Sequence, residues 1–153
     1  MTSLTFSSPL SISPSDFWAQ QSFATVNCEL GPWLHMTAPK AWQALRLADW
    51  QGGDVRFASW VLFLGVLPVD RHRFGAFSFQ PELGFVEDSS SWVMRTWQHV
   101  RTVQAHGTGC TVQDTITFQP RIGFLSSLLR PIYSRVFRHR HARLAKRYAS
   151  PIG

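Results

Sequence analysis

The sequence predicts an α+β fold in which a curved antiparallel sheet wraps around one long C-terminal helix, with two short helices after the first strand. Two observations carry this. Between residues 124 and 148 the apolar side chains Leu125, Leu128, Leu129, Ile132, Tyr133, Val136, Phe137, Leu144 and Tyr148 recur at intervals of three and four, the spacing of a helix with one apolar stripe. From residue 44 to residue 119 the period is instead two, interrupted by clusters of Gly, Pro, Asp and Ser, which is the pattern of antiparallel hairpins. A helix with one apolar stripe and a sheet with one apolar face each need a partner, and each can bury against the other.

The elements follow in order. Residues 4–12 alternate imperfectly between apolar and small polar side chains as a strand does, and Pro9, which cannot donate to a ladder, puts that strand at an edge or marks a bulge in it. Ser13 and Pro14 are a helix cap and first helical residue, opening a short helix that reaches about Phe23. Residues 27–39, punctuated by Gly31-Pro32 and Ala38-Pro39, read as a second short helix or turn. Strands are expected at 44–48, 55–67, 71–79, 84–87, 91–105 and 110–119, with turns at 51–54, 68–70, 81–82, 88–90 and 106–109. The long helix closes the chain, with Ser126 and Ser127 available to cap it and Arg143, Lys146 and Arg147 set against the negative end of its dipole. Pro131 removes a backbone donor and is expected to kink or restart it.

Two strands allow a sharper reading. In 55–67, Phe57, Val61 and Phe63 point one way and Ala58, Trp60, Leu62 and Leu64 the other, so both faces need cover, either from the short helices, from a homodimer partner or from a ligand. If 106–109 is a loop, Ala105 opposes Cys110, which sets Val103 against Val112, Arg101 against Asp114, His99 against Ile116 and Trp97 against Phe118. These residues share the mostly apolar face that meets the helix, so His99, Arg101 and Asp114 point inward; Arg140, seven residues after Tyr133, falls on the helix stripe that faces them. An inward carboxylate needs a cation, and Asp114 is expected within reach of Arg101 or Arg140 with His99 nearby.

Composition narrows the class. The 153 residues are expected to form one domain over 1–150, and the 12 Phe, 7 Trp and 2 Tyr either fill a core or line a cavity for an apolar ligand. The net charge of +6 is local: residues 121–153 hold eight Arg or Lys and no acid. With no nucleic-acid motif beside it, this reads as the solvated back of an amphipathic helix, and no nucleic-acid partner is expected. Cys28 and Cys110 lack a CxxC spacing and read as reduced thiols. The chain start has no signal-peptide pattern and no apolar run approaches the ~20 residues of a spanning helix, so a cytoplasmic protein without stable membrane insertion is expected. His139 and His141 are two apart on a helix and diverge, which argues against a metal.

The order Thr96-Trp97-Gln98-His99, then the run from Gln113-Asp114 through Pro120 and Gly123, then Phe137 with Arg140-His141, resembles the START-like superfamily, also called SRPBCC. That group includes polyketide cyclases, coenzyme Q-binding proteins and birch pollen allergen relatives. The chain departs from it at Arg101, where relatives more often carry a second His, at Ile116 in place of Val, and at Glu87 in place of Asp. The resemblance implies a helix-grip fold whose cavity, between sheet and long helix, holds a lipid-like, quinone-like or polycyclic molecule, with no cofactor. Candidate ligand-contacting residues are Trp60, Trp97, His99, Arg101, Asp114, Phe118, Tyr133, Phe137 and Arg140. Two roles remain open for His99 and Asp114: acid/base chemistry, as in cyclase- or dehydratase-like relatives, and a structural ion pair, which the cost of an unpaired buried carboxylate favours.

Overall fold

A computed structural model describes residues 1–50, 57–81 and 83–150. Seven strands form one antiparallel sheet: β1 (Thr2–Leu10), β2 (Leu34–Met36), β3 (Ala58–Phe63), β4 (Leu67–Gln80), β5 (Gly84–Ser91), β6 (Met94–His106) and β7 (Gly109–Pro120), in the spatial order β1-β7-β6-β5-β4-β3-β2. The sheet curls as a half-barrel around α4 (Leu125–Arg147), and α1 (Pro14–Gln20) and α2 (Phe23–Leu30) follow the first strand. This is the helix-grip α+β arrangement. Ser13 caps α1, accepting from the Asp16 amide, with Pro14 at the first position; Pro9 lies in the edge strand β1.

Several local expectations are corrected. The second helix starts at Phe23, earlier than expected, because Ser22 and Thr25 form a reciprocal capping box; residues 34–36 are then free to pair with β3 as the other edge strand. Residues 44–48 are not a strand. A short helix α3 (Lys40–Gln43) and a 3₁₀ turn (Leu47–Asp49) stand there, and the alternation reflected Trp42, Leu47 and Trp50 packing into an aromatic cluster with Phe23, Phe57, Phe74 and Phe77. The turn expected at 68–70 falls at 64–66 instead, since Asp70 is turned inward to accept from Ser91 Oγ at 2.6 Å and Pro68 is absorbed beside an irregularity in the β3–β4 pairing. Residues 88–90 likewise belong to β5; the chain turns at Trp92-Val93, where Ser91 Oγ accepts the Val93 and Met94 amides. Neither Ser126 nor Ser127 caps α4, whose first residue past the Phe124 cap is bonded to Ile122 in a tight turn. The helix also runs through Pro131 as one element, the proline lying on its exposed side. The turn expected at 51–54, the first two residues of the strand expected at 55 and Glu82 lie outside the described residues.

The final hairpin has the expected register from Ala105–Cys110 to Trp97–Phe118, closed by Gly107 and Thr108 alone. On the inward face β6 and β7 supply Val103, Val112, Ile116 and Phe118, all essentially without solvent contact, and α4 supplies Phe137 and Leu144. On the outer face Trp60 is half-buried, its ring edge-on to Trp92 at 5.0 Å with the Arg71 guanidinium 4.7 Å from its centre. One glycine fixes how closely the strands of the site approach: Gly84 has φ of 129°, and a Cβ there would sit 1.8 Å from the Arg101 carbonyl oxygen. Among the described residues no helix is long and apolar enough to cross a membrane.

Candidate functional site

The β6–β7 register puts Arg101 directly opposite Asp114, with His99 two residues along the same face. Helix α4 places Phe137, Arg140, His141 and Leu144 on its buried side, and α2 adds Glu29 from above. The result is a closed network. Arg101 donates to Asp114 through Nε and Nη2, both at 2.7 Å, and to Glu29 through Nη1 and Nη2, both at 3.0 Å. Arg140 donates to the same Glu29 from Nε at 3.0 Å and Nη2 at 2.8 Å, while its guanidinium lies 4.9 Å from the Phe137 ring centre. His99 Nε2 and His141 Nε2 reach Asp114 at 2.8 and 3.0 Å, and since a carboxylate only accepts, both nitrogens are the protonated ones. His141 Nδ1 is hydrogen-bonded to Ser8 Oγ at 2.8 Å.

Two carboxylates and two guanidiniums cancel in charge, which is what allows all four to be buried. Burial alone pushes the Asp114 carboxyl up, but the Arg101 charge, His99 and the hydrogen bonds from Arg101 and His141 outweigh it and hold the group well below the usual carboxylate range. Glu29 behaves alike: burial raises it, and Arg101 with Arg140 bring it below its ordinary value. Arg101 is pushed down by burial and raised further by Asp114 and Glu29, so it stays charged. Asp114 thus pairs with Arg101 as expected, whereas Arg140 pairs with Glu29 and not with Asp114. Glu29 was invisible in the sequence because α2 was set too late; the Ser22–Thr25 cap was the signal that would have turned Glu29 inward.

Beside this network lies a cavity of about 390 Å³ between the sheet and α4. Its walls are predominantly apolar, drawn from α2, β2 to β6 and α4. Of the candidate residues, Trp97, His99, Arg101, Tyr133, Phe137 and Arg140 line it. Asp114 and Phe118 lie fully buried behind that layer, and Trp60 sits on the outer face of the sheet; none of these three is among the lining residues. Trp60 was misplaced because strand 55–67 has apolar residues on both faces, and only Phe57, Ser59, Val61 and Phe63 turn inward.

A second polar group on the cavity wall was not anticipated. Glu87 and His72 both line the cavity; His72 Nε2 meets Glu87 Oε1 at 2.6 Å, and Ser89 Oγ donates to the same oxygen at 2.6 Å. Burial raises the Glu87 carboxyl, and His72, His99 and the Ser89 hydroxyl more than offset it, leaving it below its ordinary value. The His72 ring is held edge-on against Phe74 and Trp97. The only sequence signal was Glu87 itself, standing where Asp is usual in the family resembled. Tyr133 closes the wall from α4, its ring 5.0 Å from that of Trp97, and burial with the nearby Asp70 keeps its hydroxyl protonated. His139 and His141 diverge: the first donates to the Gly31 carbonyl at 2.7 Å, the second joins Asp114. Burial pushes the Cys110 thiol up, away from nucleophilic use.

A family model described as Domain of unknown function (DUF8410) matches residues 8–148. No curated protein matches the sequence. Among solved structures, protein CV1439 from Chromobacterium violaceum is similar with a TM-score of 0.69 at 11% identity, covering 99% of this chain and 100% of that one. A START superfamily protein from Mycobacterium smegmatis gives 0.60 at 5% identity over 95% and 96% of the two chains. Ara h 8.0201 gives 0.53 at 10% identity over 95% and 98%. At these identities the likeness is one of fold, and it is the START-like fold that the sequence resembled.

Proposed function

We propose, for a chain that belongs to the DUF8410 family and carries the START-like fold, that it is a binding protein for a hydrophobic small molecule held between the sheet and α4. The observation that carries this is the cavity itself: about 390 Å³, within the range of small-molecule sites, walled by aromatic and aliphatic side chains with few polar groups among them. Those polar groups fall in three places, the His72–Glu87 pair, the Asp70–Ser91 pair and the edge of the Arg101–Arg140 network, so the ligand is an apolar body, lipid-, quinone- or polyketide-like, with a polar group anchored at one of them. His99 stands between, 5.0 Å from the Phe85 ring and 5.4 Å from that of Phe137.

The alternative, acid/base catalysis by His99 and Asp114, is the weaker reading. Asp114 already accepts from four donors, Nε and Nη2 of Arg101 and Nε2 of His99 and of His141, and a carboxylate so engaged has little to gain by taking up a proton. A structural role suits it better.

Native mass spectrometry of freshly purified protein is the direct test, and a retained apolar molecule is the expected result. The neutral fluorophore N-phenyl-1-naphthylamine provides a second, with saturable uptake of one molecule per chain expected. Val61→Trp, which fills the cavity from β3 with an added ring, is expected to reduce that uptake by about ten-fold or more while leaving the fold intact, because Val61 borders empty space rather than packed core. Uptake that is unchanged in Val61→Trp would place the molecule elsewhere and sink the reading.

A further inference from the structure

We propose that the cavity mouth is a docking surface for an anionic lipid bilayer, entered by the tip of the β3–β4 hairpin and steadied by the basic side of α4. This goes beyond ligand binding and does not require the cavity to be occupied. At the tip, residues 63–69 read Phe-Leu-Gly-Val-Leu-Pro-Val, and Phe63, Leu64, Val66, Leu67 and Val69 are all exposed, Val66 at 80%. Trp33, exposed, abuts the same tip, its carbonyl accepting the Leu64 amide at 2.8 Å. Opposite, α4 shows Phe124, Leu128 and Ile132 to solvent. Phe63, Val69 and Ile132 also line the cavity, so these apolar side chains are the rim of its opening. Single exposed apolar residues are ordinary, but a cluster of this extent gathered around one opening marks an interaction surface.

The backbone adds a second observation. Leu64 has φ of 52°, the left-handed region where Gly and Asn are at ease and Leu is strained, and it is 52% exposed. Folding gains nothing from a bulky apolar side chain there, so its presence breaks a local rule without any compensation inside the chain.

Charge selects the partner. The stretches around the mouth, 30–48, 57–69 and 121–150, contain no Asp or Glu, and Asp70 at the edge of the second, which lines the cavity, is turned inward to Ser91. Arg135 follows Leu128 and Ile132 at helical spacing on one side of α4, with Arg138 beside it, and both are exposed. An apolar wedge flanked by cations without neighbouring acids is the chemistry of a protein that lies on an anionic membrane, where aliphatic side chains enter the headgroup boundary and Arg meets the lipid charge. A protein partner would need acidic relief of its own, and a second copy of this chain brings the same positive charge to the contact.

The test is co-sedimentation with vesicles of phosphatidylcholine alone or with about a third phosphatidylglycerol, at ~0.15 M salt. Binding to the anionic vesicles well above that to the neutral ones is expected. Leu64→Asn with Val66→Ser is expected to lower the partition coefficient by about ten-fold, since two aliphatic side chains no longer enter the interface. Arg135→Gln is expected to lower it by about five-fold, and only on the anionic vesicles. Both tip residues are exposed and outside the cavity lining, so N-phenyl-1-naphthylamine uptake is expected to stay unchanged in the tip variant, which separates this proposal from the reading of the cavity. No sedimentation with anionic vesicles, equal binding by the tip variant, or a dimer in light scattering that the tip variant dissolves in place of vesicle binding, would each overturn it.

Discussion

Asp114→Ala is expected to destabilise the protein by roughly 3–5 kcal/mol, the usual cost of removing one partner from a buried ion pair, and for a chain of this length that is a fall of about 10 °C in Tm. The reason is what remains behind. Arg101 keeps only Glu29, which Arg140 also uses, so a network of two carboxylates and two guanidiniums becomes one short of a negative charge in a site with essentially no solvent. The Nε2 donors of His99 and His141 lose their acceptor in the same step, each an unsatisfied buried group. Asp114→Asn keeps the shape and can still accept one bond, yet it leaves the same excess charge, so it is expected to fall nearer to Ala than to the native chain. Thermal and denaturant unfolding read both. A loss below about 1 kcal/mol in Asp114→Ala, accompanied by loss of N-phenyl-1-naphthylamine uptake, would mean that solvent or ligand reaches Arg101 and that Asp114 belongs to the cavity rather than to the frame behind it.

The parts of this network differ in how legible they were, and the difference is physical. The β6–β7 pairing was readable because a side-chain period of two, together with a tight turn, fixes every opposed pair at once; a slip of one residue would have put Val112, Ile116 and Phe118 in water. Arg140 followed from the period of α4, whereas His141 entered only through the resemblance. Glu29 did not, because its orientation depends on where α2 begins, and that is set by a cap in which Thr stands where Glu or Gln is the usual signal. Trp60 went astray for the opposite reason: in β3 both faces are apolar, so alternation carries no sign, and only the packing of Trp60 with Trp92 and Arg71 shows it to be the outer one. The His72–Glu87 pair lay beyond sequence reasoning altogether. The two residues are fifteen apart on neighbouring strands, and an irregularity between Phe74 and Ala76 shifts the register that would have related them. Turns were least secure where Pro, Asp and Ser sit inside strands, as at 68–70 and 88–90, since those residues there serve inward hydrogen bonds and strand pairing rather than chain reversal.

Stability is expected to fall steeply below about pH 5, and the sign follows from the direction of the carboxylate shifts. Asp114, Glu29 and Glu87 all titrate lower in the folded protein than in a free chain. A group with a depressed folded pKa binds its proton more readily when unfolded, so its contribution is complete above the unfolded value and is lost as pH falls toward the folded one. The unfolded values are near the ordinary 3.8 for Asp and 4.5 for Glu, which sets the upper edge of the window. Below it Asp114 alone costs about 1.4 kcal/mol per pH unit, and Glu29 and Glu87 steepen the slope until each reaches its own folded value. Because these pairs are buried, raising the salt from 0.1 to ~0.5 M should move the acid limb little, unlike one built on surface charges. Thermal unfolding at a series of pH values, compared with Glu87→Gln, resolves the cavity wall from the frame: the variant should keep the Asp114 and Glu29 part of the slope and lose its own. A protein that gains stability on going from pH 6 to pH 4 would show the reverse, carboxylates held protonated in the fold, and the paired-charge account of both the frame and the His72–Glu87 wall would fall with it.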